Sequence, residues 1–514
     1  MGSLHGAAFR HGCEGTEVEK RYNARSTGTQ GQEVKMMFRF PRFLCRHSPR
    51  PRCPVEALLV AATAAIAAHG KAEGRDIPIT QTAACVSTAA PAATQSAAIS
   101  LLSAGSAQGP APAAPPMRTA PAAPSAPGSF AAFAHDLLTR DTLSGNWWGL
   151  RGELDSHGIT PTVTLLQAAS ENFSGGIRTN RIDWRYRLDV SLTLDTQALF
   201  GWKGGTAFVD FMAHGGQNPA NDLVGELQAI SAIDQNPATR LDQIWYRQNL
   251  LDKALWFKLG RIDTTYDFDH IRDAQVFLNG SFGFSPVIFV FPSYPFSAWG
   301  GEVLWHPIPE VTLHGGLFDG NTENTLPDVA STNPNALENP FGLFALVEES
   351  LNWRIAPHKL SGTLTLGQWY HSGSFQRYSG SSVRGTEGFY GYLDQTLWKF
   401  SHPKGHSASR IGAFLQYAWA NDQLTEIDQN ISGGLRWAGP IPGRADDNTG
   451  ISATWAHLSP YAQTPYSYEL GIEGFYTAQI TPWMSIQPDL QYIIHPGGAY
   501  QNALVATVQV GLAF

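Results

Sequence analysis

Arg185, Arg187 and Asp189 alternate with Trp184, Tyr186 and Leu188 in the run DWRYRLDVSLTLD. Two guanidinium groups and a carboxylate on one face present fixed donors and acceptors. The plainer alternative is a ladder of ion pairs that only stiffens a wall. Asp210, Gln243 and Arg247 fall on polar faces by the same parity. Arg261, Asp263, Asp267 and Asp269 form an acidic approach to a loop that they either shape or merely decorate as solvated charges. These ten residues are the candidate site: the first six fall on polar strand faces, the last four border a loop. Gln487, Asp489 and Gln491 also share a polar face and read as a structural network. No P-loop, G-x-S-x-G elbow or H-E-x-x-H motif is present. His214, His314, His457 and His495 lie far apart and read as interfacial or loop histidines. No catalytic set, metal site or cofactor is expected.

Such side chains need strands to point them. The run from Trp184 to Asp195 alternates strictly, with Trp184, Tyr186, Leu188, Val190, Leu192 and Leu194 opposite Arg185, Arg187, Asp189, Ser191, Thr193 and Asp195. It is long enough to cross a bilayer at a tilt, which takes ~9–11 residues. The same alternation recurs through GTAFVDFMA, RLDQIWYRQNL, RIGAFLQYAWA, SYELGIEGFYTAQI and the last two runs, which end on Phe514. At roughly 20–25 residues per strand and connection, the region gives about 16 strands. Alternation alone leaves two folds open. A soluble sandwich turns the apolar face inward; a membrane barrel turns it to lipid and its polar face to a wet lumen.

Composition narrows the choice. The mean hydropathy of -0.18 excludes a helical membrane protein, while a barrel exposes only alternate residues to lipid. The 51 glycines and the 16 Tyr, 15 Trp and 27 Phe suit turns and interfacial belts. A formal charge of -8 argues against nucleic acid as a partner. The four cysteines, Cys13, Cys45, Cys53 and Cys85, all precede the strand-rich region. Residues 1–35 are patternless and read as a non-native or untranslated leader. Residues 36–72 combine Arg39, Arg42, Arg46, Arg50 and Arg52 with the apolar run Val55–Ala68, which is signal-peptide architecture. Translation is expected to start at Met36 or Met37, with cleavage near Ala68 to Ala72. Residues 73–140 are Ala/Pro-rich and read as a disordered linker. Residues 141–514 form the barrel, opened by a short helix with Ser144 or Asn146 as N-cap and a stop at Gly158. Trp147 and Trp148 are expected to pack that helix into the barrel end. Export, strand length and a terminal aromatic on the apolar face favour the membrane barrel.

Three stretches carry a family resemblance. LSGNWWGLRGELDSHGI and TPWMSIQPDLQYIIHPGG, with the shorter GRIDTTYDFD from Gly260, resemble motifs of the carbohydrate-selective porin (OprB) family over about Asp141–Phe514. The resemblance implies an all-β, 16-stranded antiparallel barrel in the bacterial outer membrane. It implies passive diffusion of small carbohydrates such as glucose, an inward-folded loop and arginines at the constriction. Expected partners are those sugars, outer-membrane lipids and the barrel-assembly machinery, engaged through Phe514. The rival readings are an outer-membrane barrel enzyme and a non-conducting structural or adhesive barrel.

Overall fold

The computed structural model describes residues 130–288, 290–320, 342–400 and 409–514. All belong to one compact unit, Ala89–Phe514. The leader, the signal-like run and most of the Ala/Pro-rich stretch lie outside the described residues.

Helix α1 (Phe130–Thr139) comes first, so the stretch read as linker gives way to ordered structure ten residues before position 140. A 3-10 turn at Trp147–Gly149 leads into α2 (Leu150–Ser156). Asn146 accepts from the Gly152 amide at 3.0 Å. Trp148 corrects the packing expectation, because its side chain is wholly exposed at 105%. Trp147 packs instead under Arg151, whose guanidinium carbon lies 4.3 Å from the ring centroid.

Sixteen strands follow among the described residues. They are β1 (Ile159–Ser174), β2 (Ile182–Asp195), β3 (Gly205–Gly216), β4 (Ala238–Leu250), β5 (Leu255–Ile262), β6 (Ala298–Ile308), β7 (Val311–Asp319) and β8 (Leu343–Ile355). The second half comprises β9 (Leu360–Gln376), β10 (Ser382–Lys399), β11 (Arg410–Ala420), β12 (Ile427–Ala438), β13 (Asn448–Leu458), β14 (Tyr468–Thr481), β15 (Met484–Ile494) and β16 (Ala503–Ala513). Each pairs with its sequence neighbours, and β16 pairs antiparallel with β1, which closes the cylinder. Closure leaves no strand edge unpaired, as a bilayer demands.

Alternation sorts the faces as the sequence predicts. Val190, Leu259, Val303, Leu366, Leu415 and Val508 are exposed on the outside, while Arg185, Asp210, Gln416, Glu473 and Gln487 are buried inside. A bulge interrupts β4: Asp210 opposes Gln243 and Phe211 opposes Leu241, so Asp242 is the extra residue. Beyond it Gln243, Trp245 and Arg247 share one parity.

The lumen corrects one expectation. Its lining is not uniformly polar. Inward Trp245, Phe318, Phe344, Trp369, Tyr390, Phe414 and Phe475 join one buried cluster with Phe268, Phe277, Phe282 and Phe291 of the β5–β6 connection. Phe277 meets Phe475 edge-on at 4.8 Å, and Phe291 meets Phe344 at 5.0 Å. Apolar wall residues face inward where an apolar loop covers them. Period-two alternation reports the side of the sheet, not what lies against it.

Candidate pore constriction

Connections alternate between the two rims. Residues 217–237 and 263–297 leave one rim, whereas α1 and α2 lie at the other. Both segments fold into the lumen. The base of 263–297 is drawn together by Thr264, whose backbone N–H and hydroxyl both donate to the Pro292 carbonyl, at 2.8 and 2.7 Å. Asp263 accepts from the Thr265 amide (3.0 Å) and hydroxyl (2.6 Å). Asn279 caps the short helical turn Gly280–Gly283 through the Ser281 amide.

Wall side chains hold these segments by their backbones. Glu348 on β8 accepts from the Asp269 amide at 2.7 Å. Asp394 on β10 accepts from the Asp273 amide at 2.8 Å. Glu473 on β14 accepts from the Leu278 and Asn279 amides at 2.7 and 2.9 Å. Glu469 takes the Leu227 and Gln228 amides, both at 2.9 Å. On β15 the Gln487 amide donates to the Val276 carbonyl (3.0 Å) and the Gln491 amide to the Ile230 carbonyl (2.7 Å). Carboxylate–amide bonds are charge-assisted and short, so they satisfy backbone groups that burial would otherwise leave costly.

The sequence-predicted residues divide. Arg185, Arg187, Asp189, Asp210 and Gln243 come together on the inner wall of β2–β4. Arg185 is fully buried, ion-paired with Asp234 of the 217–237 segment, and donates to Ser170 Oγ at 2.7 Å. Arg187 bonds Asp189 at 2.8 Å and the Tyr266 hydroxyl at 3.0 Å, and lies 4.1 Å from the Tyr294 ring centroid. Asp210 is buried beside this group. Gln243 Oε1 accepts from the Asp263 amide at 3.4 Å. Arg247 lies apart, 5.9 Å from the Trp256 ring centroid. Asp267 pairs with Lys258, itself 2.6 Å from Glu302. Asp269 accepts from the Ser285 amide at 2.8 Å and from Gln416 at 3.1 Å. Burial pushes the Asp269 carboxyl up to about 8. Arg261, next to last in β5 and opposite the outward Ile244 and Trp299, bonds Ser297 Oγ at 2.8 Å and so meets the closing end of the 263–297 loop. His314 is corrected too. It points inward, stacked on Phe268 at 3.8 Å, rather than lying at an interface.

A second charged group escaped sequence reasoning. Arg272 and Asp273 of the inward loop meet Asp394, Arg410 and Arg436 of β10–β12. Arg410 grips Asp273 with both nitrogens, at 2.9 and 2.6 Å. Arg272 bonds Asp273 at 2.9 Å and also pairs with Asp394. Arg436 lies 3.5 Å from Asp273 and donates to Asn448 Oδ1 at 2.7 Å. The approach requires Gly412, where a Cβ would overlap the Asp273 carboxylate. Burial alone would raise Asp273; the Arg410 hydrogen bonds, with the charges of Arg410, Arg272 and Arg436, outweigh it and hold the carboxyl below its ordinary range. The Asp273 side chain is covered, at 0% exposure, while Arg272 keeps 43% and Arg410 22%. Arginine edges therefore face open space beneath the loop. There, an open-sided pocket of about 150 Å³ is lined by His270, Arg272, Asp394 and the polar side chains of β7–β9. The readable signal was parity: Arg410 and Arg436 fall on the inward faces of RIGAFLQYAWA and ISGGLRWAG.

A closed sixteen-stranded barrel, apolar outside and narrowed by loops held to its inner wall, defines an outer-membrane porin. The sequence profile described as "Carbohydrate-selective porin, OprB family" matches residues 181–514, and the chain belongs to that family. Porin B of Pseudomonas aeruginosa is 24% identical over 420 residues, 72% of this chain and 90% of that protein. The high pH structure of Pseudomonas putida OprB superposes with a TM-score of 0.64 at 20% identity, covering 73% of this chain and 99% of that one. Its low pH structure gives 0.50 at 18% identity over the same shares. The protein is thus a sugar-passing porin of the bacterial outer membrane.

Proposed function

We propose that neutral sugars such as glucose diffuse passively past two charged edges of the lumen. One is the Arg187–Asp189 group on β2; the other is the Arg272–Asp273–Arg410–Arg436 group beneath the loop. The observation that carries this reading is the exposed guanidinium edge of Arg272 and Arg410 around a covered Asp273. Guanidinium groups partly neutralised by Asp273 and Asp394 offer fixed donors, which suits hydroxyls and keeps binding weak enough for release. The chain acts without catalysis in this reading. Its 36–72 segment directs export, the Ala/Pro-rich stretch is a linker, lipids cover the outer band, and Phe514 is the handle for the barrel-assembly machinery.

Purified protein in planar bilayers is expected to give discrete conductance steps, and liposomes carrying it to swell in glucose. A folded barrel that does neither defeats the reading and leaves the adhesive or enzymatic barrel. Arg410→Ala should alter the ratio of glucose to glycerol swelling while heat-modifiable migration on gels persists.

A further inference from the structure

One charge interrupts the outer apolar band. On β8 the outward face carries Val347, Glu349 and Leu351 in succession, all exposed. Across the strands, Glu349 faces Leu313 of β7 and Leu366 of β9. Trp353 lies four residues along β8 one way, and Ala345, opposite Tyr370, lies four the other. At ~3.3 Å per residue and a tilt of ~40°, each is about 10 Å from Glu349 in height. The carboxylate thus sits near mid-band, where its short side chain cannot reach water past either aromatic level. It has no hydrogen-bond or ion-pair partner among the described residues. Gln368 of β9, outward and exposed opposite Val347, lies diagonal to it and is equally unpartnered among them. Beside them Gly315 of β7, opposite Val347, leaves the wall without a side chain. The barrel itself does not require glycine there. The backbone is not left-handed, and an added Cβ would come no nearer than 3.5 Å to Val347.

We infer that this face of β7–β9 is the contact surface for a second copy of the chain, related to the first by a two-fold axis. A two-fold contact joins a patch to itself, so the patch must carry its own complement. An ionised Glu349 only accepts, the Gln368 amide donates, and the two stand one diagonal step apart on neighbouring strands. Rotation about an axis between them sets each glutamate against the glutamine of the other copy, which gives two equivalent hydrogen bonds. Those bonds supply the partner that hydrocarbon denies a lipid-facing carboxylate. Gly315 lets the two walls approach closely, as small residues do where membrane segments pack. Acyl chains offer no donor at this depth. An unrelated protein would have to match by chance the spacing that a second copy matches by symmetry. The contact lies outside the barrel and is independent of what passes through the lumen.

The test is resonance energy transfer between donor- and acceptor-labelled copies of the barrel in lipid vesicles, read as the protein is diluted with lipid. Transfer should follow a two-copy equilibrium. Glu349→Leu should raise the dissociation constant by about tenfold or more, the scale of two net hydrogen bonds lost together. Glu349→Gln keeps an acceptor and should keep the pairing. Gly315→Leu fills the gap between the walls and should abolish transfer. Val508→Leu, on the outward face of β16, should leave transfer as in wild type. Heat-modifiable migration on gels certifies that each variant is folded. A wild-type barrel that stays single at every protein-to-lipid ratio overturns the inference, and so does a three-copy stoichiometry. Pairing that survives either Glu349→Leu or Gly315→Leu unchanged places the contact elsewhere on the wall. Conductance and glucose swelling are read separately, so a failure here leaves the channel reading standing.

Discussion

Arg185 and Arg187 stand two residues apart on one strand face, yet they meet different surroundings. Arg185 is at 0% exposure, as is its partner Asp234. A buried charge that loses its partner is penalised heavily, by about 3–5 kcal/mol. Arg185→Ala is therefore expected to loosen the 217–237 segment by that order, read as a lower midpoint in denaturant. Asp234→Asn combined with Arg185→Ala should recover part of the loss, because no lone charge remains. His270 gives the residue scale a pH dependence. Burial lowers its imidazole to about 4 from the ordinary 6.5. Its folded value lies below the unfolded one, so its contribution is present above pH 6.5 and is lost as pH falls toward about 4. Arg272 and Asp394 line the same pocket. Acidification through that window should raise the open-channel noise of the native barrel. His270→Gln, which cannot take up the proton, should lose that component; noise with an identical pH profile in this variant would refute the assignment.

At the scale of elements, the inward loop is a guest of the wall. Glu473 alone meets two adjacent loop amides. Glu473→Leu leaves both N–H groups without an acceptor, at about 1–3 kcal/mol each. The expected outcome is faster proteolysis within residues 263–297 and noisier conductance, with the sixteen-stranded barrel intact on gels. If cleavage and noise match wild type, the glutamate is not the anchor. Such anchors explain what the sequence disclosed and what it withheld. Strand parity was local, so Gln487 and Gln491 could be assigned inward from their alternation with Pro488 and Leu490. The partner of each was not local: Gln487 bonds Val276 and Gln491 bonds Ile230, from connections far upstream. The same separation hid the Arg272–Asp273–Arg410–Arg436 group, whose members lie on a loop and two strands. It also hid why Phe414 and Phe475 point inward, since their partner Phe277 belongs to the loop. The loop contact of Arg261 was hidden in the same way, since its partner Ser297 lies 36 residues downstream at the closing end of the loop.

Across the whole molecule, stability depends on which solvent each face meets. Leu415 sits mid-strand on β11, 55% exposed, between the outward Leu393 and a glycine. Its neighbour Phe414 is 4% exposed on the opposite face. In a soluble sandwich the exposed leucine is the tolerant position; in an outer-membrane barrel it is in hydrocarbon. Leu415→Arg should therefore cost about 2–4 kcal/mol near the bilayer midplane, falling toward the rims. Thr363→Arg, a charge of the same size on the wet inner face, should leave folding nearly unchanged and shift conductance instead. Equilibrium unfolding from lipid vesicles measures both. Equal tolerance of the two arginines would mean that the outer band does not contact acyl chains. A large folding penalty at Leu415 with a conductance change confined to Thr363 is the paired result expected of a wall that separates lipid from a sugar path.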